Sequence, residues 1–275
     1  MPEGPEIRRS ADTLQSMLAG RKALGVRFAF PRLRSHQARL EGRRIRAVEP
    51  RGKAMLIHFA GDLSIYSHNQ LYGEWRVFPG APPETHLQER ILIRTGAGTA
   101  VLYSASEIEV RPTGELDFLP YLAKLGPDLL GADVDTATVL ARLREPRYAR
   151  RALASLLLDQ GFLAGPGNYL RSEILFAARL HPDLRPGDLD AARLRVLATR
   201  TLRITRRAYR TAGITNDPRL AARLRQAGAG FEEYRHAVFE RAQLPCYACG
   251  TPIRRLERGR ALFHCPQCQA RPPAS

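Results

Sequence analysis

The sequence predicts an α+β chain in three parts: an antiparallel β domain behind an N-terminal helix, then a helical domain, then a small metal-binding unit. Three observations carry that expectation. Short apolar runs with period-two alternation and Gly/Pro punctuation fill residues 24 to 110, apolar residues take up helical spacing from about 135, and all four cysteines fall in the last 30 residues as two Cys-x2-Cys pairs. At 275 residues the chain is long enough for more than one core. The expected divisions are a β domain over 1–120, a connection over 121–134, a helical domain over 135–235 and a finger over 236–270.

The first helix is signalled by Pro5 in its first turn, by Glu6 against the positive end of its dipole, by Ile7, Ala11, Leu14 and Leu18 at helical spacing, and by Gly20 as its stop. Ahead of it stand Met1, Pro2 and Glu3. A small residue in second position predicts removal of Met1, which exposes Pro2 as a secondary amine. An α-amino group titrates near pH 7.7 to 8.0, about 2.5 units below lysine, and the helix N-terminus disfavours the protonated form further. Pro2 is therefore a candidate nucleophile able to form an iminium, and Glu3 a candidate acid or base. Taken alone, these residues also fit a plain capped amphipathic helix.

The strand signals follow in order: Leu24, Val26, Phe28 and Phe30 alternating, the run Met55 to Phe59, Leu63 with Ile65, Trp75 with Val77, Ile91 to Ile93, and Val101 to Tyr103. Repeated short strands of this kind build a sandwich or a barrel. Arg51-Gly52-Lys53 falls between two of them and places Lys53 at a hairpin tip. In His68-Asn69-Gln70-Leu71-Tyr72-Gly73, polar, apolar and aromatic residues stand side by side, which a strand would not bury together. The segment is either an ordinary loop or a wedge that fills the gap left by an extruded base.

Residues 112 to 131 are rich in Pro and Gly and read as an interdomain connection carrying Lys124. Helices are then predicted from Val139, Leu140 and Leu143, and from Leu153, Leu156 and Leu157 up to Gly161. Another begins at Asn168, read as an N-cap, with Leu170, Ile174 and Leu175 behind it. A Gly-rich turn ahead of that helix, with Asn168 at its start, is either a phosphate site or a simple helical hairpin. A long Arg-studded helix spans 190 to 211, and Asp217-Pro218 opens a short one ending by Gly228.

Cys246-x2-Cys249, fifteen residues, then Cys265-x2-Cys268 is the spacing of a closed tetrahedral zinc site, one structural ion that cannot activate water. The residues between, Ile253 to Phe263, predict a β-hairpin with Arg258 to Arg260 at its turn. Formal net charge is +16 and the pI about 10.6, which points to nucleic acid as partner. Of 43 basic residues only Lys22, Lys53 and Lys124 are lysines. No leader and no membrane-length apolar run is evident, so a cytoplasmic, nucleoid-associated monomer is expected, with no membrane partner.

Assembled, these blocks resemble the formamidopyrimidine-DNA glycosylase and endonuclease VIII family nearly end to end. The carrying pieces are MPEGPEIRRSAD at 1–12, RGKA at 51–54, IYSHNQLYGEWRV at 65–77, LYSAS at 102–106, GPDLL at 126–130, LLLDQGFLAGPGNYLRSEIL at 156–175 and the cysteine pairs. The resemblance implies a bifunctional glycosylase and abasic-site lyase of base excision repair acting on damaged double-stranded DNA. It also implies a β-sandwich, a helix-two-turns-helix domain and a zinc finger. By position it makes Pro2 the nucleophile at C1′ and Glu3 the acid. Lys53 becomes a proton donor or DNA contact near the site, and Arg260 the finger residue that assists δ-elimination. Gln70, Leu71 and Tyr72 become the void-filling wedge, and Lys124 and Asn168 phosphate binders. Gln-Leu-Tyr resembles the endonuclease VIII wedge and favours oxidised pyrimidines; a preference for oxidised purines, or a zinc-finger protein that binds damage without cutting, are the alternatives. The chain departs from the pattern at Pro166, where Leu or Ile is expected, and over 211–230, which looks longer and more helical.

Overall fold

The computed structural model describes residues 2–271; Met1, whose removal the sequence leads one to expect, lies outside them. The chain forms two compact units, one of Pro2 with Glu6–Lys124 and one of Glu3–Pro5 with the chain from Leu125 on.

The first unit begins with helix α1 (Gly4–Leu18), whose Ile7, Ala11, Leu14 and Leu18 are all buried, as their spacing predicts. Eight strands follow: β1 (Gly25–Phe28), β2 (Ile45–Arg51), β3 (Ala54–Phe59), β4 (Leu63–His68), β5 (Glu74–Phe78), β6 (Glu89–Thr95), β7 (Gly98–Tyr103) and β8 (Glu107–Pro112), with the one-turn helix α2 (Gln37–Leu40) between β1 and β2. They make two four-stranded antiparallel sheets, ordered β1-β6-β7-β5 and β2-β3-β4-β8. Phe28, Ile91, Ile93 and Leu102 of one sheet share a core with Met55, Ile57, Ile65 and Ile108 of the other and with the apolar face of α1. This is a sandwich rather than a closed barrel.

The strand reading fails in three places. The alternation read from Leu24 to Phe30 is cut to four residues: Leu24 is 55% exposed, and Pro31 opens a 3-10 turn immediately after Phe30. β2 escapes detection because a bulge between Ile45 and Ala47 breaks its period and Pro50 lies within it. β8 goes unread although Ile108 and Val110 alternate with Glu107, Glu109 and Arg111, because it runs to Pro112, the start of the supposed connection.

The second unit contains α3 (Thr136–Arg144), α4 (Leu153–Leu156), α5 (Asn168–Ala177), α6 (Ala191–Arg210), α7 (Pro218–Gln226) and α8 (Phe231–Arg235), then the hairpin β9 (Arg254–Arg258) and β10 (Arg260–His264). In α6, Leu194, Leu197, Thr201, Ile204 and Ala208 form the buried stripe and Asp190 caps the start. Asp217 caps α7, as its place before Pro218 predicts. α4 is a single turn, so most of the residues up to Gly161 are loop. Among the described residues, no helix is long and apolar enough to cross a membrane.

Candidate functional site

In the first unit, Pro2 lines a cavity of about 410 Å³ with Glu6, Asn69, Leu71, Tyr72 and Trp75. The loop that supplies three of these joins β4 to β5, strands of different sheets, so the chain must turn sharply over 69–73. The Gly73 amide donates to the Asn69 carbonyl at 2.7 Å, and a Cβ on Gly73 would come within 2.5 Å of that oxygen, so only glycine closes this turn. Gln70 sits at φ 51°. Its side chain folds back: Ser106 Oγ donates to Gln70 Oε1 (2.5 Å), and Gln70 Nε2 donates to Glu107 (3.3 Å). Leu71 and Tyr72 project instead, 56% and 80% exposed. The three expected wedge residues thus divide into one anchored polar group and two protruding apolar surfaces.

Lys53 occupies the two-residue turn between β2 and β3, where Arg51 pairs with Ala54 and Gly52 takes φ 60°. Its amide donates to the Tyr121 hydroxyl at 2.8 Å, and the Tyr121 ring meets His68 edge-on at 4.7 Å. Burial pushes the His68 imidazole below its usual value; Glu107 opposes this and Lys53 adds to it. Lys53 therefore stands beside the root of the 69–73 loop. Lys124 is exposed, its amide donating to the Tyr121 carbonyl at 3.4 Å.

In the second unit Glu3 is buried, 2% exposed, in the loop that leads into α5. Its carboxylate accepts from the amides of Gly167 (2.6 Å), Tyr169 (2.9 Å) and Leu170 (3.3 Å), and the Gly4 amide donates to Gly165 O at 2.9 Å. Two glycines make this possible. A Cβ on Gly167 would fall 2.5 Å from the Glu3 carboxylate, and a Cβ on Gly4 would fall 2.8 Å from Gly165 Cα. Asn168, expected to cap α5, is instead its first residue; the cap is Gly167, and the carboxylate that satisfies the open amides comes from Glu3. Pro166 leaves the cradle intact: its carbonyl accepts from Gln160 Nε2 at 2.8 Å.

Asn168 is tied elsewhere. Its Oδ1 accepts from Arg171 Nη2 (3.2 Å), and the same guanidinium donates to the carbonyls of Ala154 (3.2 Å), Arg258 (3.3 Å), Arg260 (3.0 Å) and Ala261 (3.1 Å). Arg171 is wholly buried, and burial lowers its pKa to about 10; Glu3 opposes the shift and Arg260 adds to it. It remains charged at neutral pH. One hidden arginine thus holds the β9–β10 turn, with exposed Arg260 following Gly259 at φ 74°, to the start of α5. Arg171 is absent from the sequence-derived candidates, as is Glu173. Glu173 is 1% exposed and accepts from Thr215 Oγ1 (2.7 Å) and the amides of Ala237 (2.9 Å), Val238 (2.8 Å) and Phe239 (2.9 Å). In the sequence these two share a helix with Asn168 and Ser172 and read as its polar side, so no local signal sets them apart.

The four cysteine sulfurs lie within 4.8 Å of one another, with Cys246–Cys268 at 3.9 Å and Cys249–Cys265 at 3.4 Å. Four thiolates about 2.3 Å from a zinc ion stand about 3.8 Å apart. The set fits a tetrahedral metal, and the amides of Ala248 and Cys268 already donate to the sulfurs of Cys246 and Cys265, both at 3.4 Å.

Comparison with known proteins gives a consistent result. Residues 1–105 match the formamidopyrimidine-DNA glycosylase N-terminal domain and residues 125–218 the formamidopyrimidine-DNA glycosylase H2TH domain. Endonuclease 8 of Escherichia coli O6:K15:H31 (strain 536 / UPEC) is 44% identical over 271 residues, covering 98% of this chain and all of the relative; Endonuclease 8 of Shigella sonnei (strain Ss046) is 43% identical over the same span. Among solved structures, Lactococcus lactis Fpg (MutM) in complex with DNA containing N7-benzyl-Fapy-dG superposes with a TM-score of 0.79 at 23% identity, over 98% of this chain and all of that one. On the matched domains and the full-length identity, the chain belongs to the formamidopyrimidine-DNA glycosylase family.

Proposed function

We propose that this chain is a bifunctional DNA glycosylase and abasic-site lyase of base excision repair, acting in the cytoplasm on oxidised bases in duplex DNA, pyrimidines foremost. The carrying observation is the Glu3 cradle: three amides and the close approach of Gly167 are spent on one carboxylate in the residue after Pro2. In a binding module such a carboxylate could do no more than cap α5.

Three N–H donors stabilise negative charge on Glu3. In this reading Glu3 first takes a proton from the Pro2 ammonium and then serves as the acid, while the Pro2 amine attacks C1′ and the damaged base leaves. The resulting iminium is the electron sink for β-elimination, and Arg260, at the finger turn, assists the δ step. Lys53, beside His68, donates a proton or contacts the DNA next to the reacting sugar. Leu71 and Tyr72 fill the space of the extruded nucleotide, with Gln70 anchoring the loop; Lys124 and Asn168 contact phosphates. The four cysteines hold one zinc ion, which keeps the finger folded. The identity with Endonuclease 8 relatives supports pyrimidine lesions.

Borohydride reduction in the presence of abasic DNA tests this. The protein with Pro2 exposed should become covalently attached, and a protein retaining one extra residue before Pro2 should not. Trapping by the extended protein would place the nucleophile elsewhere, and no trapping by either would leave a zinc-finger protein that binds damage without cutting. Oligonucleotides bearing thymine glycol or 8-oxoguanine then decide the lesion class.

A further inference from the structure

Asn69 is 5% exposed, and its side-chain carbonyl is buried without a hydrogen-bond donor. Such an oxygen costs about 1–3 kcal/mol, so it calls for a reason. The ordinary one for Asn in a turn is an Asx-turn, in which Oδ1 accepts the amide two residues on; here Oδ1 accepts nothing. The turn is closed through the backbone, where the Gly73 amide donates to the Asn69 carbonyl, and not through Oδ1.

The residue lines the same cavity as Pro2. Of the other side-chain donors there, the Trp75 indole N–H is engaged by Ser67 Oγ at 3.2 Å, Tyr72 is turned out to solvent, 80% exposed, and the Ser10 hydroxyl does not donate to Oδ1. A prolyl nitrogen in a peptide bond has no hydrogen to give. Once Met1 is removed, the same nitrogen carries two N–H groups as an ammonium and one as an amine. Processing therefore creates a new donor on Pro2, a residue that lines the same cavity as Asn69.

We propose that Asn69 is a positioning residue that accepts one N–H of the processed Pro2 and thereby aims the amine's lone pair. The inference rests on Pro2 as nucleophile. With one N–H held by Asn69, loss of the other proton leaves the lone pair in a set direction. Attack on an abasic aldehyde forms the N–C1′ bond, the held N–H proton passes to the former carbonyl oxygen, and that oxygen leaves as hydroxide to give the iminium. No N–H remains at that point, so the bond to Asn69 is released as the intermediate forms. A neutral amide suits this role. A carboxylate there would pair with the ammonium and keep it protonated. The ionisable groups already lining the cavity are Glu6, Glu74 and Tyr72, which are unchanged in the variants below.

The test is the rate of cyanoborohydride trapping on a preformed abasic duplex from about pH 5 to about 9, across the range where an α-amine titrates, for wild type, Asn69→Ala and Asn69→Asp. The alanine variant should lose about tenfold or more of the high-pH rate, and its midpoint should move down by about one pH unit. The near-isosteric aspartate variant should move the midpoint up. Midpoints that stay in place in both variants, with or without a lower plateau, would make Asn69 a turn residue and overturn the proposal. The protein with an extra residue before Pro2 is run alongside: if it traps, the nucleophile reading fails, whereas if it does not trap and the midpoints still stay put, only the role of Asn69 fails.

Discussion

The Glu3 carboxylate lies 2.6 Å from the Gly167 amide, close enough that a methyl group on residue 167 would stand 2.5 Å from its atoms. Gly167→Ala should therefore displace the carboxylate without touching Pro2. Base excision is expected to fall about a hundredfold or more, with affinity for abasic DNA changed less than about threefold, or ~0.7 kcal/mol. Single-turnover excision beside equilibrium binding checks it; excision near the wild-type rate would mean the cradle only caps a helix.

Lys53 is one of three lysines in a chain that otherwise uses arginine. Arginine stays charged in proteins, whereas lysine can give up its proton. Lys53→Arg should keep DNA affinity within about threefold, below roughly 0.7 kcal/mol, and slow excision at least about tenfold, or roughly 1.4 kcal/mol. An arginine variant that excises at full rate would reduce Lys53 to a charge. Both quantities are measured at one salt concentration.

Arg260→Ala should preserve binding and β-elimination and raise the ratio of β to δ product on sequencing gels. Arg171→Met should do the same by releasing the turn that carries Arg260, and should also cost about 3 kcal/mol or more of stability, because four carbonyls and Asn168 Oδ1 lose their shared donor. A stable Arg171→Met protein with an unchanged product ratio would contradict both parts.

His236 is 2% exposed, and burial lowers its pKa to about 4, with Glu173 opposing the shift and Arg235 reinforcing it. Since the Thr215 hydroxyl gives its one proton to Glu173, the 3.0 Å contact between Thr215 Oγ1 and His236 Nδ1 is donated by the imidazole in its neutral form. The folded value is below the unfolded one, so the unfolded state binds the proton first. The contribution to stability is complete above about pH 6.5 and is lost as pH falls towards about 4, by up to roughly 3 kcal/mol. Urea unfolding of His236→Gln should show a flatter pH dependence over that window; identical slopes for both proteins would refute it.

Much of this could be read from the chain because the relevant signals are local. The spacing of Ile7, Ala11, Leu14 and Leu18, the Arg51-Gly52-Lys53 turn, the Asp217-Pro218 helix start and the cysteine pairs each depend on a few neighbouring residues. The failures are long-range or cancel locally. Asn168 looks like a cap, and nothing within ten residues says that Glu3 takes that place. Arg171 and Glu173 look like the polar side of a helix until the finger and the 215–239 segment are seen to cover them. β2 hides behind one bulge and one proline.

The grip of Arg171 on the finger turn is a socket with an exchangeable tip. It donates to the carbonyl oxygens of residues 258, 260 and 261, atoms that every amino acid possesses. Position 260 can therefore be traded without loosening that grip, whereas Gly259 is held by its φ of 74° and the Arg258 side chain by Asp183 at 2.8 and 2.9 Å. An engineer could vary position 260 through a library and attribute each change in product to the new side chain rather than to a displaced loop.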